Sequence, residues 1–403
     1  MKITTKLKET EIGLIPEDWE INLLENIGNI KNGKFADADI FKGNVFQVIG
    51  ANGVIGKSDY FNTLEDSIII GRVGANCGNV FFTDKKCWVT DNALILNNND
   101  NYCSKFLYYY LSSIKLNKLR HGTSKPLLNQ RILNKIIVPN PTLKEQIKIA
   151  EVLDSLDKKI SVNNKINSIL EQISQALFKH WFIDFEFPDE HGRPYKSSGG
   201  EFVDSELGKI PKGWEIASLG TLITFNKGKK PLETSAIRIK EFLPLILIER
   251  LRNNFGEYAS AEKMQLVNSD DVIMIMDGAS SSEVFIGYEG VLGSTIGAFK
   301  PKDKNILSPY FLYYFLKINF EYLKNNNFGA AIPHANKDVI NRLVLVLPKK
   351  TLMDIFHKQC LDVYKLIINL RKENENLSHI RDTLLPKLIT GKIRVNLEDI
   401  SEG

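Results

Sequence analysis

Two stretches of this 403-residue chain carry apolar side chains at three- and four-residue steps over about 35 positions each. The first runs Leu143, Ile147, Ala150, Leu153, Leu156, Ile160, then Ile166, Leu170, Ile173 and Leu177. The second runs from Leu352 through Phe356, Cys360, Val363, Ile367, Leu370 and Leu377 to Leu384. The period is that of an amphipathic helix, and no proline or glycine interrupts either stretch before Pro386. Two long helices of roughly 50 Å are therefore predicted, at 1.5 Å per residue. Helices of that length cannot bury their stripes against one small domain, and pairing as a coiled coil is the economical solution. Asn163 and Asn374 fall on the stripes, where an amide either fixes register or is merely tolerated.

The rest of the chain is patterned differently. Short runs rich in β-branched and aromatic residues, bounded by Asn, Gly and Asp, read as strands at 44–50, 67–73, 79–83 and 92–96. Runs of the same kind recur at 243–248, 271–276, 283–288 and 296–300. Segments 105–119 ("KFLYYYLSSIKLNKL") and 310–323 ("YFLYYFLKINFEYL") read as helices. Their aromatic clusters suit either a base-stacking platform or the core face of a helix packed on a sheet.

This recurrence is a duplication. "GLIPEDWEI" at 13–21 returns as "GKIPKGWEI" at 208–216, an offset of 195 residues that also carries Gly33-Lys34 onto Gly228-Lys229. "FLYYYL" at 106–111 returns as "FLYYFL" at 311–316. Gly122, Pro126 and Asn129 are echoed by Gly329, Pro333 and Asn336. Order is kept while the offset drifts, as loop insertions would make it. Trp19 and Trp214, with their Ile-Pro neighbours, read as structural anchors opening each copy. Between the copies, "HWFIDFEFPDEHGRPYKSSGG" (180–200) ends in a Gly-, Ser- and Pro-rich half that reads as a linker, with "PDEHGR" as a solvated turn.

Composition is that of an ordinary soluble protein, 43% hydrophobic and 25% charged, with a formal net charge of only +4. Whole-chain charge neither demands nor excludes an anionic partner, so any nucleic-acid reading rests on local sites. The four cysteines (Cys77, Cys87, Cys103, Cys360) show no metal-type spacing and read as reduced thiols. The N-terminal segment lacks the apolar core of a signal peptide, and the longest apolar runs fall short of the ~18–20 residues a membrane span needs. A cytoplasmic protein with no membrane role is expected.

A catalytic constellation is not found. There is no phosphate-binding GxxxxGK[ST] loop and no dinucleotide-type GxGxxG after a strand, and the six histidines are scattered without HxH or HExxH spacing. No metal site is expected. The polar candidates lie on loops. "GRVGANCGN" (71–79), with Arg72 and Asn76, is either a phosphate cradle of backbone amides or a tight turn. Its counterpart "DGASSSE" (277–283) keeps Gly278 and Ala279 and continues with Ser280 and Ser281. Lys34 and the lysines Lys227, Lys229 and Lys230 sit on short loops. Thr123, Ser124, Lys125, Asn129 and Gln130 in the first copy, and Asn336 and Lys337 in the second, add further donors. Lys and backbone donors suit phosphates, whereas Arg, Asn and Gln suit base edges.

These features together resemble the specificity (S) subunits of type I restriction–modification systems over essentially the whole chain. The residues carrying the resemblance are the twin "IPxxWE" openings, "LKEQIKIAEVLDSLDKKI" at the start of the first helix, "QALFKHWFIDFEF" (175–187) and "LLPKLITGKIRV" (384–395). The second helix, "TLMDIFHKQCLDVYKLI", departs from this by losing the "KEQ" pattern. The resemblance implies an α/β (α+β) fold: two mixed α/β target-recognition domains in a pseudo-two-fold repeat, with two long helices forming an antiparallel coiled coil. On that plan residues 1–141 and 207–348 are the recognition domains, 142–179 and 349–403 the helical regions (the latter with the tail), and 180–206 a linker. It further implies a non-catalytic subunit that reads a bipartite, asymmetric site on double-stranded DNA. Its partners would be two methyltransferase subunits and, where present, restriction/motor subunits. S-adenosylmethionine, ATP and Mg would be bound by those partners and no cofactor by this chain. The alternatives are a self-contained DNA-modifying enzyme, or a coiled-coil scaffold without a DNA role.

Overall fold

The computed structural model describes residues 6–119, 127–253, 255–329 and 333–397. They form two compact units, Met1–Lys159 with Leu377–Gly403 and Ile160–Asn376. In the first, an antiparallel four-stranded sheet runs in the order Gly28–Asn32, Ala93–Asn98, Ser67–Gly71, Val80–Thr83. In the second, the order is Ile223–Lys227, Ile296–Pro301, Val272–Ile275, Val284–Phe285, which is the same topology. Each unit also has a parallel strand pair, Phe46–Gly50 with Cys87–Val89 and Phe242–Ile246 with Gly290–Leu292. Each joins the strand that follows its Trp to the strand before its long helix, Glu20–Leu23 with Ile137–Asn140 and Glu215–Ser218 with Val344–Leu347.

The continuous apolar runs have a simple cause. Side chains of a strand alternate between faces, and here both faces are covered. Ile68 and Ile70 enter one core while Ile69 enters another. In the second unit Val272 and Met274 face one core, Ile273 and Ile275 the other. The helices Ser104–Ser113 and Pro309–Ile318 pack their aromatics inward, with Phe106, Tyr109, Tyr110, Phe311, Tyr313 and Tyr314 all buried. The core reading of those clusters is the one observed.

The two long helices are Leu143–Phe182 and Lys350–Leu388, about 60 Å each. They pair antiparallel as a coiled coil. In the first unit Asp157 accepts from Arg381 at 2.7 Å, and Ile149, Ala150 and Leu153 share a core with Leu388. In the second, Phe178 packs on Phe356 and Glu171 accepts from Arg371 at 3.1 Å.

The buried seam of the first helix is rotated from the apolar stripe traced in the sequence. Leu143 and Ile147 are 40% and 41% exposed, and Ile166 and Ile173 are exposed too, whereas the off-stripe Gln146, Ile149, Asn167 and Ser174 are buried; Asn163, on the stripe, is buried as well. A tracing restricted to apolar residues skips a seam that contains polar ones. Leu153 and Phe356 are fully buried; Ile160, Leu170, Leu177, Val363, Leu370, Leu377 and Leu384 are half-buried.

One buried polar layer, at Asn163 and Asn374, is partnered across the seam. Asn163 Nδ2 donates to Asn374 Oδ1 (2.9 Å) and to Glu373 Oε2 (2.8 Å), and Asn374 Nδ2 donates to Asn164 Oδ1 (2.9 Å). Misregistered helices would leave these amides unpaired in the seam, which costs more than a paired amide gains. The layer therefore fixes register.

The two tryptophans are anchors, each held differently. Trp19 Nε1 donates to Glu145 Oε2 at 3.0 Å, Glu145 is 2% exposed, and Arg394 binds both Glu145 (2.7 Å) and Asp18 (2.8 Å) while lying over the indole. Arg394 holds the Asp18 carboxyl below the usual carboxylate range. The contribution of that pair is thus complete above about pH 4 and is lost as pH falls through the depressed value. Gln146 ties the helix start down by accepting from Cys103 N (2.9 Å) and donating to Pro141 O (3.0 Å). Trp214 instead sits among rings, with Phe182, Phe185 and Phe187 within 5.0–6.0 Å.

The last contact corrects the reading of 180–200 as ending in a linker. Tyr195 stacks on Phe187 at 4.5 Å, and its hydroxyl donates to Glu201 O at 2.7 Å. Ser197 N donates to Glu186 at 3.0 Å. The Gly-Ser stretch is the return of a folded cap over Trp214. The turn at "PDEHGR" is closed by Asp189, which accepts from His191 N and Arg193 N at 2.8 Å each.

The asparagine layer yields a double-mutant cycle. Asn374→Leu alone is expected to destabilise the chain by about 1 kcal/mol by stranding the Asn163 amide. Asn163→Leu with Asn374→Leu should recover that loss or exceed it. Denaturant unfolding of the four variants measures the coupling, and additive losses would refute the pairing.

Candidate nucleic-acid interface

The candidate interface is built on backbone turns at the strand ends of each domain. At Gly33 a Cβ would lie 2.1 Å from Thr90 O, and at Gly228 2.1 Å from Gly293 O, so both positions require glycine because two backbones touch. Gly33 N donates to Ala93 O (3.0 Å) and Gly228 N to Ile296 O (2.9 Å). The residues that follow, Lys34 and Lys229, are exposed, as are Lys227 and Lys230.

The glycine loops share one hydrogen-bond skeleton. In the first, Cys77 N donates to Gly74 O, Gly78 N to Gly71 O and Asn79 N to Asn76 O, at 2.8–3.1 Å. In the second, Ser281 N donates to Gly278 O, Ser282 N to Ile275 O and Glu283 N to Ser280 O, at 2.8–3.2 Å. Left-handed backbone occurs at matching places, Gly74 (φ 73°) with Gly278 (φ 98°) and Gly78 (φ 94°) with Ser282 (φ 76°). Those amides are spent inside the loop, so it is a tight turn that presents side chains.

The presented side chains differ between domains. In the first, Arg72 is half-buried; its Nη1 donates to Asn32 Oδ1 at 3.1 Å and its Nε has no hydrogen-bond partner among the described residues. Asn76 is half-buried beside it in the loop. In the second, Asp277 meets His334 Nδ1 at 2.7 Å and Lys227 Nζ at 3.3 Å. Phe328, 57% exposed, stacks on His334 at 5.4 Å, and the two residues exchange backbone hydrogen bonds. Lys337 Nζ lies 5.0 Å from the ring centre of Phe225, which shares a strand face with Lys227 two residues on. Lys227, Lys337, His334 and Phe328 thus gather beside one strand end.

Other candidates have structural duties. Ser281 is 1% exposed and accepts from Asn327 Nδ2 at 2.7 Å, so it is unavailable to a ligand in this conformation. Ser280 accepts from Arg252, which also pairs with Glu283 at 3.1 Å. Asn129 caps the helix Gln130–Asn134 by accepting from Ile132 N, and Asn336 caps Lys337–Arg342 by accepting from Asp338 N and Val339 N. Gln130 is half-buried in the first turn of its helix. Thr123, Ser124 and Lys125 lie outside the described residues.

His334 and Phe328 were not singled out from the sequence. A lone histidine carries no spacing signal, and Phe328 has no periodicity. Burial pushes the thiols of Cys87 and Cys360 up to about 11 and about 12, so neither is a thiolate at neutral pH. No helix among the described residues is long and apolar enough to cross a membrane.

Two domains on one plan, each continuing into one of two paired helices, define a class of duplicated chain, and comparison with known proteins gives its family. The model of the type I restriction modification DNA specificity domain matches twice, at residues 16–172 and 211–372. The chain belongs to that family. It is 28% identical to the type I restriction enzyme MjaIX specificity subunit of Methanocaldococcus jannaschii, over 97% of both chains. It is 25% identical to the HindI specificity subunit of Haemophilus influenzae, over 91% of this chain and 93% of that one. The fold matches the crystal structure of a type I restriction-modification S subunit from M. genitalium, with a TM-score of 0.58 at 21% identity, covering 96% and 99% of the two chains.

The caps give a direct test. Asn129→Ala and Asn336→Ala are each expected to cost about 1 kcal/mol of stability, with most of it regained by Ser at the same position. Unfolding curves measure this, and unchanged stability in both alanine variants would return these residues to the pool of free donors.

Proposed function

We propose that this chain reads DNA for a type I methyltransferase complex and is itself non-catalytic. Each mixed domain addresses one half of a bipartite, asymmetric duplex site. The long helices set the spacer and carry two methyltransferase subunits, with restriction/motor subunits joining where the system cleaves. S-adenosylmethionine is held by the methyltransferases, ATP and Mg by the motor subunits.

The observation that carries this reading is the pair of loops at 71–79 and 275–283. One backbone skeleton displays Arg72 and Asn76 in one domain and stands beside Asp277, His334 and Lys227 in the other. A shared frame with different polar ends suits two readers of different sequences. Exposed Lys34, Lys229, Lys230 and Lys337 suit phosphates, which position without specifying. The half-buried Arg72, whose fork is steadied by Asn32 through Nη1, is of the side-chain type that suits a guanine edge.

Docking is supported by a second apolar stripe. Val162, Ile166, Ile169 and Ile173 are all exposed at steps of four, three and four residues. That is the spacing of a coiled-coil seam with no helix on it, suited to a helix of a methyltransferase subunit.

Two experiments test the proposal. The chain is co-expressed with its native methyltransferase partner and methylated adenines are mapped across the host genome. A bipartite motif, modified once on each strand and lost without this chain, is expected. A soluble complex giving no chain-dependent motif would leave a protein scaffold as the better reading. Inserting one heptad into both long helices should lengthen the spacer by roughly three base pairs, from seven residues at 1.5 Å against 3.4 Å per base pair. An unchanged spacer in a folded variant would show that the helices are not the ruler.

A further inference from the structure

Within the unit Ile160–Asn376, two arginines join the outer part of the second mixed domain to the helix pair. Arg371, on the second long helix, donates Nη1 to Ile286 O (3.0 Å) and Gly287 O (3.3 Å). Its Nη2 donates to Glu171 on the first long helix at 3.1 Å. Its guanidinium lies 4.6 Å from the ring centre of Tyr288. Gly287 is left-handed (φ 83°), and a Cβ there would come within 3.1 Å of the guanidinium, so the turn is shaped around the arginine. Arg250 works in the opposite direction. It belongs to the domain, its side chain is 4% exposed, and its Nη1 reaches Glu375 on the second helix at 2.7 Å. Its other nitrogens donate to Leu245 O, Gly256 O and Glu257 O.

The surroundings of this double clamp are open. A cavity of about 600 Å³ lies on either side, and Arg371 and Tyr288 line both. Apolar packing is therefore incomplete here, and directional bonds from two rigid guanidinium forks set the angle between domain and helices. Arg371 also touches both helices and the domain at once. One side chain thus couples the helix seam to the domain's tilt.

We propose that Arg371 and Arg250 are positioning residues that fix the angle of the second recognition domain on the helices, and through it the spacer length the complex accepts. This rests on the DNA-reading function proposed above. Neither arginine reads a base; each restricts where the reading surface points. Removing the clamp should leave both half-site sequences intact while loosening the distance between them.

The test uses the full chain assembled with its methyltransferase partner, on a library of sites whose spacers are one base pair shorter than, equal to or longer than the native one. For Arg371→Met, methylation at off-length spacers relative to the native spacer is expected to rise roughly tenfold, the scale of one charge-assisted hydrogen bond. The half-site bases should stay unchanged. Arg371→Lys, which cannot reproduce the fork, should relax the spacer in the same direction. A uniform loss of methylation at every spacer length, with a lowered melting temperature, would reduce the arginine to a stability role and overturn the proposal. If Arg371→Met does not assemble, Glu171→Gln removes the charged acceptor with little change in shape. A folded Glu171→Gln complex with unchanged spacer discrimination also overturns the proposal. The wild-type complex is the control for the underlying function: absence of any bipartite motif there would sink that reading, and the positioning role with it.

Discussion

Everything in this molecule answers to the need of two helices of about 40 residues to bury one face each. Neither is apolar enough to be sheathed on all sides. Pairing them antiparallel buries one face of each at once. The seam that results is not uniformly greasy. Asn163 and Asn374 are buried in it and bonded to each other across it, and each is costly unless its partner arrives in register. A seam of leucines alone would gain stability and tolerate sliding. If the helices act as the spacer proposed above, sliding would be the worse fault.

The two copies solve one anchoring problem with opposite chemistry. In the first, the indole of Trp19 is met by a buried carboxylate, Glu145, which is neutralised by Arg394. In the second, Trp214 is met by Phe182, Phe185 and Phe187, and the helix start presents buried Leu352 and Met353. Aligning strands Ile137–Asn140 and Val344–Leu347 places Leu352 and Met353 where Glu145 and Gln146 stand in the first copy. The same register pairs Tyr109–Asp157 with Tyr314–Tyr364, each linked through the tyrosine hydroxyl at 2.8 and 2.9 Å. This is why the second helix lacks the "KEQ" pattern. The polar clasp has been exchanged for an apolar one, while the backbone plan is kept. The exchange also shifts the apparent match by two residues, since the shared Thr-Leu pair in the sequence is not the structurally equivalent one.

How much could be read from the sequence follows from these facts. The duplication, the inner sheet strands and the long helices were legible because they rest on periodicity and on repeated words, and buried strands must be apolar on both faces; the more polar edge strands Gly28–Asn32 and Ile223–Lys227 were not read. The helix seam was legible only in outline. Leu143 and Ile147 obey the period yet lie outside the buried face, where Gln146 and Asn167 occupy places that an apolar tracing skips. The Gly-Ser segment before Gly200 misled for a related reason: its composition is that of a linker, and the single ring of Tyr195, stacked on Phe187, holds it down. Of the polar loop residues, sequence could mark the candidates but not sort those with structural duties from the rest. Asn129 and Asn336 look like free amide donors, and only the helix that follows each reveals a cap. His334 and Asp277 lie 57 residues apart and meet only through folding.

The sorting that structure supplies bears on how such a protein can change what it recognises. Residues fixing the loop conformation are Gly74, Gly278 and the buried Ser281, together with the backbone bonds that close each turn. Residues displayed by it, Arg72 and Asn76 or the group around Asp277, do not hold the turn through their side chains. The frame and its display are therefore energetically separable, and substitutions at displayed positions away from the core should add nearly independently to those in the frame. Two copies of one frame already carry unrelated displays within this single chain. Divergence of the displayed side chains without loss of the loop's backbone frame is thus a property the molecule demonstrates internally.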